Sequence, residues 1–513
     1  MRVDFNVQDY LDRGAFVYPD RVAIVDEPGA PGSLGRITYA ELDARARGLA
    51  AHLDTLGIDA GERIAIVSPN SARFLIAIFG VSGSGRVLVP INFRLKPEEV
   101  EYIVEHSGAA LVLVDPECAD LVAGVTNCEV VVMDGAADGD FFAPATTEPR
   151  FWAGDEDATA SINYTSGTTA RPKGVQLTHR SLWLSAAMFG WHAGINDRDV
   201  FLWTLPLFHV NGWGMSYALS GMGVRHVVLR KVDGEDILRR IEAEGVTFLC
   251  GAPTVLAMVL DAAAARRERG EDIPGRGTVR MCVAGAPPPT AVIERVGGEL
   301  GWEFIQLYGL TETAPLLTIN RATTEDDAAD PTERARRLSR AGAPAMGVQV
   351  RIDEEGEVQA RSNHVFEGYW NQPEETAKAH VDGWFKTGDG GYLDDAFVVI
   401  ADRKKDVIIT GGENVSSIEV EDALYQHPDV AEAAAIGVPD DKWGETIKGL
   451  VVLRPGATTT EADLIEHCRS RMAHFKCPTS IEIRDELPRT ATGKLQKFKL
   501  REPYWAGRDR KVG

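Results

Sequence analysis

YTSGTTARPKGV, residues 164–175, is the segment from which the architecture of this chain can be worked out. It holds four serine and threonine hydroxyls, two glycines, an arginine and a lysine, and it contains no carboxylate. This composition suits a polyphosphate, because glycines let the backbone turn its N–H groups toward an anion while hydroxyls donate hydrogen bonds and cations neutralise charge. The spacing is not that of a G-x-x-x-x-G-K-[ST] loop. The alternative interpretation is a flexible linker rich in Ser, Thr and Gly.

Length and charge limit what the protein can be. A chain of 513 residues exceeds what one hydrophobic core usually supports, so two or more domains are expected. The hydrophobic fraction of 44% is typical of a globular protein. The formal charge of −22 argues against nucleic acid or an anionic membrane as a partner.

The cysteines and the apolar segments predict a cytoplasmic protein without stable membrane insertion. The N-terminus has no signal-peptide pattern, and the longest apolar stretch, Phe74–Ile91, is too interrupted by glycines and Arg86 to span a bilayer. No C-x-x-C pair occurs, which fits buried thiols in a reducing compartment. The cysteines are Cys118, Cys128, Cys250, Cys282, Cys468 and Cys477.

Apolar runs alternate with helical patterns along the first 400 residues, and this rhythm predicts an α/β fold with a mainly parallel sheet covered by helices. Helices are expected at Ser71–Val81 and Lys96–His106. The charged stretches Asp261–Asp272 and Thr323–Arg340 are interpreted as exposed helix or loop. The predicted strands are Arg63–Val67, Arg86–Ile91, Ala110–Val114, Glu129–Met133, Val200–Leu205, Val224–Leu229, Val246–Cys250 and Val279–Val283.

A second, smaller domain is expected near the C-terminus. The charged run 402–406 follows the strand Val398–Ile400 abruptly, and about 110 residues remain, the size of one small domain. A helix with a capping box at Ser416 and Glu419 opens an α+β pattern. We therefore predict domains at 1–402 and 403–513. The remaining elements expected in the second domain are strands at Glu432–Val438, Ile447–Leu453 and Ser480–Arg484 and a helix at Thr460–Met472.

Four further motifs carry chemistry of their own. In 306–313, Glu312 is the best Mg²⁺ ligand beside a polyphosphate, and Tyr308 can present its ring to a purine. Asp389, after a Thr-Gly turn, can accept two hydrogen bonds from a ribose diol. Lys494 lies on a glycine-containing polar turn and is either a surface charge or, beside the other motifs, a cation for a phosphoryl centre. The segment 205–214 is either a packed turn or the wall of an apolar pocket.

These five motifs, in this order and spacing, resemble those of the adenylate-forming (AMP-binding) superfamily. The resemblance covers essentially the whole chain, and 208–213, 309–315 and 411–417 most resemble the acyl-CoA synthetase or fatty-acyl-CoA ligase branch. It implies a large N-terminal α/β domain of several subdomains and a small, mobile α+β C-terminal domain. It implies ATP, Mg²⁺ and coenzyme A as cofactors or co-substrates, and a small carboxylic acid as partner. The oligomeric state is left open, a homodimer included.

The resemblance also implies a role for each matching position. The pyrophosphate loop would consist of Thr165, Ser166, Gly167, Thr168, Thr169 and Lys173, with Thr165 and Glu312 at the Mg²⁺. The adenine would lie among Ala286, Pro287, Gln306, Leu307 and Tyr308. Thr311 would contact the α-phosphate, Asp389 and Arg403 would hold the ribose, and Lys405 would be the hinge.

The same resemblance places the acid and the catalytic groups. His209 and Trp213 would border the acyl pocket, Lys494 would be the catalytic lysine, and Gly411 and Gly412 would face the pantetheine tunnel. His209, Thr311 and Glu312 would complete the catalytic set. Two departures occur, Ala170 in place of the usual glycine and the apolar Ile409 in place of a lysine found in some fatty-acyl members. Neither removes a catalytic group.

The expected reaction joins a carboxylic acid to coenzyme A through an acyl-adenylate, with a medium- or long-chain fatty acid favoured by Trp213 and its apolar neighbours. An aryl, short-chain or sterol-fragment acid stays open. An amino-acid adenylation domain is disfavoured because no carboxylate occurs between Asp199 and Asp233, near His209, and no carrier domain follows. A luciferase-like oxygenase is disfavoured by the C-terminal Lys-Val-Gly. A non-catalytic nucleotide-binding protein is disfavoured because the candidate catalytic groups are all present.

Overall fold

The structure is a computed structural model that describes residues 2–136, 138–165, 172–286, 288–403, 406–410, 413–440, 442–489 and 495–506. Arg403 is described by its backbone only. In the described part of the chain, no helix is both long and apolar enough to cross a bilayer.

The strands form four sheets among the described residues. In chain order the strands are β1 Val22–Val25, β2 Arg36–Thr38, β3 Arg63–Val67, β4 Val87–Ile91, β5 Ala109–Val114, β6 Glu129–Val132, β7 Thr159–Thr165, β8 Lys173–Thr178, β9 Val200–Trp203, β10 Arg225–Val228, β11 Phe248–Gly251, β12 Arg280–Val283, β13 Glu303–Tyr308, β14 Thr318–Arg321, β15 Ala343–Pro344, β16 Gln349–Ile352, β17 Glu357–Arg361, β18 Gly368–Tyr369, β19 His380–Val381, β20 Trp384–Asp394, β21 Phe397–Arg403, β22 Ile408–Thr410, β23 Glu413–Val415, β24 Val430–Asp440, β25 Gly444–Leu453 and β26 Ser480–Ile483.

The helices cover the sheets and connect the parallel strands. They are α1 Gln8–Val17, α2 Tyr39–Thr55, α3 Ala72–Ala77, α4 Pro97–Ser107, α5 His179–Ala193, α6 Val210–Trp213, α7 Met215–Gly221, α8 Gly234–Glu244, α9 Pro253–Glu268, α10 Thr290–Arg295, α11 Thr324–Asp327, α12 Pro331–Leu338, α13 Pro373–Ala379, α14 Ser417–Tyr425, α15 Glu461–Arg469 and α16 Lys497–Trp505. Short 3₁₀ turns occupy Pro116–Val122, Thr311–Thr313 and His474–Lys476, and π-helical turns occupy Ile78–Ser82 and Val296–Leu300.

Two large sheets, both mainly parallel, form the body of the molecule. Sheet 1 has the order β15-β14-β13-β12-β11-β9-β10-β1-β2, and sheet 2 has the order β18-β8-β7-β4-β3-β5-β6. Antiparallel pairing is confined to their margins, where β2, β14 and β15 close sheet 1 and β8 and β18 close sheet 2. Parallel strands need helical crossovers, which explains why helices cover the faces of both sheets.

The alternation of side chains along the strands creates three layers of core. Residues such as Ile64 and Ile66 of β3 face a central cluster between the two sheets, whereas Ala65 and Val67 face the outer side of sheet 2. In the same way, Phe201 of β9 faces the central cluster and Leu202 faces the outer side of sheet 1. Strands buried on both faces are uninterrupted apolar runs, which is why the sequence could locate them.

Two smaller sheets complete the fold. Sheet 3 has the order β16-β17-β20-β19, with β21 paired to β20, and every pairing in it is antiparallel. Sheet 4 has the order β23-β22-β25-β24, with β26 parallel to β25, and it has separate hydrophobic clusters with α14, α15 and α16. The predicted α/β architecture with a smaller C-terminal α+β unit is confirmed. The boundary predicted between residues 402 and 403 stays a prediction.

Most predicted elements are present, and three differ in detail. The helix expected at Ser71–Val81 changes from α to π geometry at Ile78. The capping box at α14 is half formed, because Ser416 accepts the N–H of Glu419 while the Glu419 carboxylate is bonded to Lys476 at 2.8 Å. The charged stretches expected to be exposed each have a buried face, including Ala263 and Leu338.

We expect the layer between the two sheets to dominate stability. Phe79 lies in the π-helical turn, is 1% exposed and meets Tyr217 edge to face with ring centroids 5.7 Å apart. Phe79→Ala should lower the free energy of unfolding by about 3–5 kcal/mol, because a buried ring leaves a cavity. Urea denaturation measures this. Phe16→Ala, at a ring that is 87% exposed, is the control and should change it by less than about 0.5 kcal/mol.

Candidate active site

The strands β7 and β8 bring the two ends of the polar segment together. They pair antiparallel, with Thr165 opposite Lys173 and Tyr164 opposite Gly174. Thr165 and Lys173 are therefore neighbours in sheet 2. The predicted phosphate-binding residues in between, Ser166, Gly167, Thr168 and Thr169, lie outside the described residues, as does Ala170. So do Pro287, Lys405, Gly411, Gly412 and Lys494.

Lys173 makes two contacts that the sequence did not indicate. Its Nζ lies 2.5 Å from Glu375 Oε2 on α13 and 4.8 Å from the centre of the Tyr369 ring. The hydrogen bond from Lys173, together with that from Lys378, lowers the pKa of Glu375 to about 2. The Glu375 carboxylate is therefore ionised at neutral pH.

Glu312 lies in a 3₁₀ turn directly after β13. Its Oε1 accepts a hydrogen bond from the Tyr369 hydroxyl at 2.9 Å, and its backbone carbonyl accepts the N–H of Phe366 at 2.7 Å. Burial, and after it the charge of Glu312, raise the pKa of Tyr369, so the hydroxyl stays protonated and donates. Tyr369 thus links the candidate metal ligand to the candidate phosphate lysine.

The predicted adenine residues lie at the ends of β12 and β13. Leu307 is buried, Tyr308 is half-buried and Ala286 is exposed. Gln306 is 4% exposed, and its Oε1 has no hydrogen-bond partner in the described part of the chain. A buried acceptor without a partner is costly, so Gln306 fits a ligand that brings an N–H donor.

The predicted ribose residues are cross-strand neighbours. Asp389 of β20 pairs with Arg403 of β21, and the Asp389 side chain is 6% exposed. Its Oδ2 accepts a hydrogen bond from the Tyr308 hydroxyl at 2.8 Å. The sequence placed Tyr308 and Asp389 in separate motifs, and the fold joins them.

The segment Tyr308–Thr313 therefore touches three sheets. It ends β13 of sheet 1, reaches β18 of sheet 2 through the Glu312–Tyr369 bond, and reaches β20 of sheet 3 through the Tyr308–Asp389 bond. Nucleotide-type and metal-type candidates from three motifs meet at this one junction.

A small cavity of about 30 Å³ opens beside the junction. Four predicted residues line it, His209, Trp213, Leu307 and Thr311, so the candidate acid site and the candidate nucleotide site are adjacent. Its other lining residues are Val210, Ala284, Gly285, Gly309, Leu310 and Pro315.

The backbone around Trp213 is unusual and was not predicted. Val210, Asn211 and Trp213 all have positive φ angles, between 44° and 56°. Asn211, fully buried, holds this turn by donating to the Tyr217 hydroxyl at 3.0 Å, while its carbonyl accepts the Ser216 hydroxyl at 2.9 Å. The only signal in the sequence was the pair of flanking glycines, Gly212 and Gly214.

The C-terminal unit contacts the segment that follows the predicted adenine residue Ala286. Asp422 of α14 accepts the N–H of Thr290, four residues beyond Ala286, at 2.9 Å. Asp402 accepts the N–H of Ser417 at the start of α14, at 2.8 Å. Helix N-termini favour such a carboxylate, so the end of β21 is attached to α14 in this conformation.

Thr165 and Glu312 are the residues that the sequence predicted at a metal ion. The described residues contain no group of three or more His, Cys, Asp or Glu side chains that could hold one. A single carboxylate such as Glu312 fits Mg²⁺, which is commonly bound through one or two carboxylates plus phosphates and water.

The chain is similar to known proteins over nearly its whole length. The AMP-binding enzyme family matches residues 11–370, and the AMP-binding enzyme C-terminal domain matches residues 419–494. A 2-methylpropanoate–CoA ligase of Humulus lupulus is 37% identical over 96% of this chain and 94% of its own length. An anthranilate CoA ligase in complex with anthranoyl-AMP superposes with a TM-score of 0.87, at 27% identity, over 98% of both chains. The O-succinylbenzoate coenzyme A synthetase of Bacillus subtilis, in complex with ATP and magnesium, has a TM-score of 0.81 at 28% identity, over 96% of this chain and 99% of its own.

The chain therefore belongs to the AMP-binding enzyme family, the adenylate-forming superfamily predicted from its motifs. Within that family it is an acid–thiol ligase of the acyl-CoA synthetase branch.

The turn at Trp213 should depend on Gly212. A Cβ at this position would lie 2.4 Å from the Trp203 ring, and the φ of +66° is strained for any other residue. Gly212→Ala should lower the free energy of unfolding by about 2–5 kcal/mol, from left-handed strain and overpacking together. Chemical denaturation measures this.

Gly190→Ala is the matched control. It lies inside α5, and its nearest neighbour would be the Ala218 Cβ at 3.4 Å. This substitution should be neutral or stabilising, because alanine favours a helix over glycine. Equal effects of the two substitutions would contradict the role of the turn.

Proposed function

We propose that this protein joins a carboxylic acid to coenzyme A in two half-reactions that consume ATP. The observation that carries the proposal is the junction at Tyr308–Thr313. The candidate groups for base and metal lie in this segment, and those for ribose and acid lie beside it. The ligases to which the chain is similar support the same reaction class.

In the first half-reaction, the acid carboxylate attacks the α-phosphorus of ATP. A P–O bond forms to the acid, the bond to the β-phosphate breaks, and pyrophosphate leaves. Such a transfer depends mainly on positioning and on stabilising charge. We assign the pyrophosphate to Thr165, Ser166, Gly167, Thr168, Thr169 and Lys173.

The nucleoside is assigned to groups on sheets 1 and 3. The adenine would contact Ala286, Pro287, Gln306, Leu307 and Tyr308, and the unpartnered Gln306 Oε1 suits its exocyclic amine. Asp389 and Arg403 would hold the ribose, and Thr311 would contact the α-phosphate. Mg²⁺ would be held by Glu312 and Thr165 and would neutralise charge on the phosphates.

In the second half-reaction, the thiol of coenzyme A attacks the acyl carbonyl. A C–S bond forms, the C–O bond to the phosphate breaks, AMP leaves and the thiol proton is released. We propose that residues 403–513 turn about Lys405 relative to residues 1–402, so that Lys494 leaves and the Gly411-Gly412 face approaches. Domain closure of this type is a common way to alternate two active geometries.

For the acid we propose a short aliphatic chain, an alternative that the sequence left open. The cavity is small, and the turn that carries Trp213 packs against two fully buried aromatic residues, Trp203 beside Gly212 and Tyr217 beside Asn211. The similar ligase of Humulus lupulus acts, by its name, on a branched acid of similar small size.

A medium- or long-chain fatty acid, favoured by the sequence, is the second candidate. Trp213 lies between Gly212 and Gly214, and all three have positive φ angles. Glycines permit such angles at low cost, so this turn suits a side chain that swings aside to admit a longer acid. His209 borders the entrance in either case.

Two further assignments are also proposals. A cytoplasmic location is favoured by six free thiols, five of them buried. A homodimer is retained as the simplest symmetric assembly.

A panel of acids tests the proposed function. Pyrophosphate release with ATP, Mg²⁺ and coenzyme A should be greatest for acids of about three to five carbons and should fall by tenfold or more for acids of eight carbons and longer. The physical reason is that each extra methylene needs space that a cavity of about 30 Å³ does not offer. The reverse order of the acids would favour the fatty-acid site, in which Trp213 swings aside. If pyrophosphate exchanges with ATP but no acid of the panel serves as a substrate, ligase function is contradicted.

Lys494 should serve only the first half-reaction. Lys494→Ala should lower the rate of adenylate formation by 100-fold or more, because an electrostatic contact at the phosphoryl centre is lost. Thioester formation from supplied acyl-adenylate should change less than threefold. Both are measured by single-turnover kinetics, with Lys499→Ala, at an exposed lysine of α16, as the control. Equal loss of both half-reactions would contradict the division of roles.

A further inference from the structure

Tyr369 contacts both Glu312 and Lys173, the two groups that would bind the same polyphosphate. Its hydroxyl donates to Glu312 Oε1 at 2.9 Å, and its ring carries Lys173 Nζ at 4.8 Å from the centre. A cation over an aromatic face is held by the ring quadrupole, so the ring restrains the ammonium while the hydroxyl restrains the carboxylate. One side chain thus sets the relative position of both groups.

The backbone of Tyr369 is fixed against the strand that follows the phosphate loop. Strand β18 pairs antiparallel with β8, placing Tyr369 opposite Val175. The N–H of Trp370 donates to the Gly174 carbonyl at 2.7 Å, and the N–H of Tyr369 donates to Thr376 Oγ1 at 2.9 Å. The ring is therefore attached to sheet 2 and to the start of α13.

Glu375, on the first turn of α13, is the ion-pair partner of Lys173. Its Oε2 lies 2.5 Å from Lys173 Nζ, and its Oε1 lies 2.6 Å from Lys378 Nζ. Both members of the Lys173–Glu375 pair are about one-third exposed or less. A phosphate that enters beside Lys173 must therefore compete with this carboxylate.

We propose that residues 368–378, called here the phosphate arm, form a further element of the nucleotide site. Tyr369 is a positioning residue that directs Glu312 and Lys173 toward the same β- and γ-phosphates. Glu375 is an internal anion that occupies Lys173 until the phosphates displace it, and it takes Lys173 back as pyrophosphate leaves. This inference rests on the proposed function.

The test is calorimetric binding of a non-hydrolysable ATP analogue, AMPPNP, and of AMP to the full-length chain. Tyr369→Phe keeps the ring but removes the hydroxyl. It should raise the Mg²⁺ concentration needed for half-maximal AMPPNP binding by about tenfold, the effect of losing a hydrogen bond to a charged group. AMP affinity should stay within twofold, because AMP has no β- or γ-phosphate.

Glu375→Gln should tighten AMPPNP binding by about threefold, the size expected when a partly exposed competing ion pair is removed. Glu374→Gln is the matched control, because it makes the same charge change one residue earlier on an exposed side chain. It should leave AMPPNP binding unchanged. Thermal unfolding of each variant identifies a folding defect.

The outcomes separate the two proposals. If the wild-type chain binds neither AMPPNP nor AMP, the proposed function fails. If the wild type binds both, two results would overturn the phosphate arm alone. One is a Tyr369→Phe variant with an unchanged Mg²⁺ requirement or an equal loss of AMP and AMPPNP affinity. The other is a Glu375→Gln variant indistinguishable from Glu374→Gln or weaker than wild type.

Discussion

Two hydrogen bonds of the segment Tyr308–Thr313 connect three β-sheets, and the geometry of the candidate site depends on these two bonds. The Tyr308 hydroxyl ties sheet 1 to Asp389 of sheet 3, and the Glu312 carboxylate ties sheet 1 to Tyr369 of sheet 2. Hydrogen bonds to charged groups typically contribute about 1.5–3 kcal/mol each. None of the three sheets alone presents a complete set of candidate groups. The geometry of the candidate site therefore depends on the relative position of the sheets.

The same segment also borders the cavity that the candidate acid residues His209 and Trp213 line. Gly309, Leu310 and Thr311 line the cavity. A Cβ on Gly309 would lie 1.5 Å from the carbonyl oxygen of Pro315, so the chain passes there too closely for any side chain. The segment therefore carries Tyr308 and Glu312, candidate groups for nucleotide and metal, and also forms part of the wall of the cavity.

The sequence predicted what depends on local pattern. Strand β3 begins and ends where the apolar run Arg63–Val67 does, because a strand buried on both faces is apolar throughout. The ends of the other predicted strands shift by up to about three residues, as is usual for element boundaries. The α-to-π change at Ile78 was not predictable, since the apolar pattern of the helix runs through it without a break.

The contacts that position the site were beyond local pattern. Tyr369 lies 57 residues from Glu312, and Glu375 lies 202 residues from Lys173, so no spacing rule connects them. The motif argument found Glu312 and Lys173 because their residue types suit phosphate and metal. It could not find Tyr369 or Glu375, whose importance comes from where β18 pairs with β8. The capping box at Ser416 shows the converse, because a correct local pattern lost its Glu419 to Lys476.

Backbone strain and hydrogen bonding together determine the shape of the turn at Trp213, which lines the cavity. Residues with positive φ other than glycine cost roughly 1–3 kcal/mol each, and Val210, Asn211 and Trp213 all adopt such angles. Buried hydrogen bonds from Asn211 to Tyr217 and from Ser216 to the Asn211 carbonyl offset part of this cost. In this turn Trp213 lines the cavity together with Leu307 and Thr311. The wall of the cavity is therefore formed in part by a strained segment, whose geometry depends on the hydrogen bonds of Asn211 and on the close approach of Gly212 to the Trp203 ring.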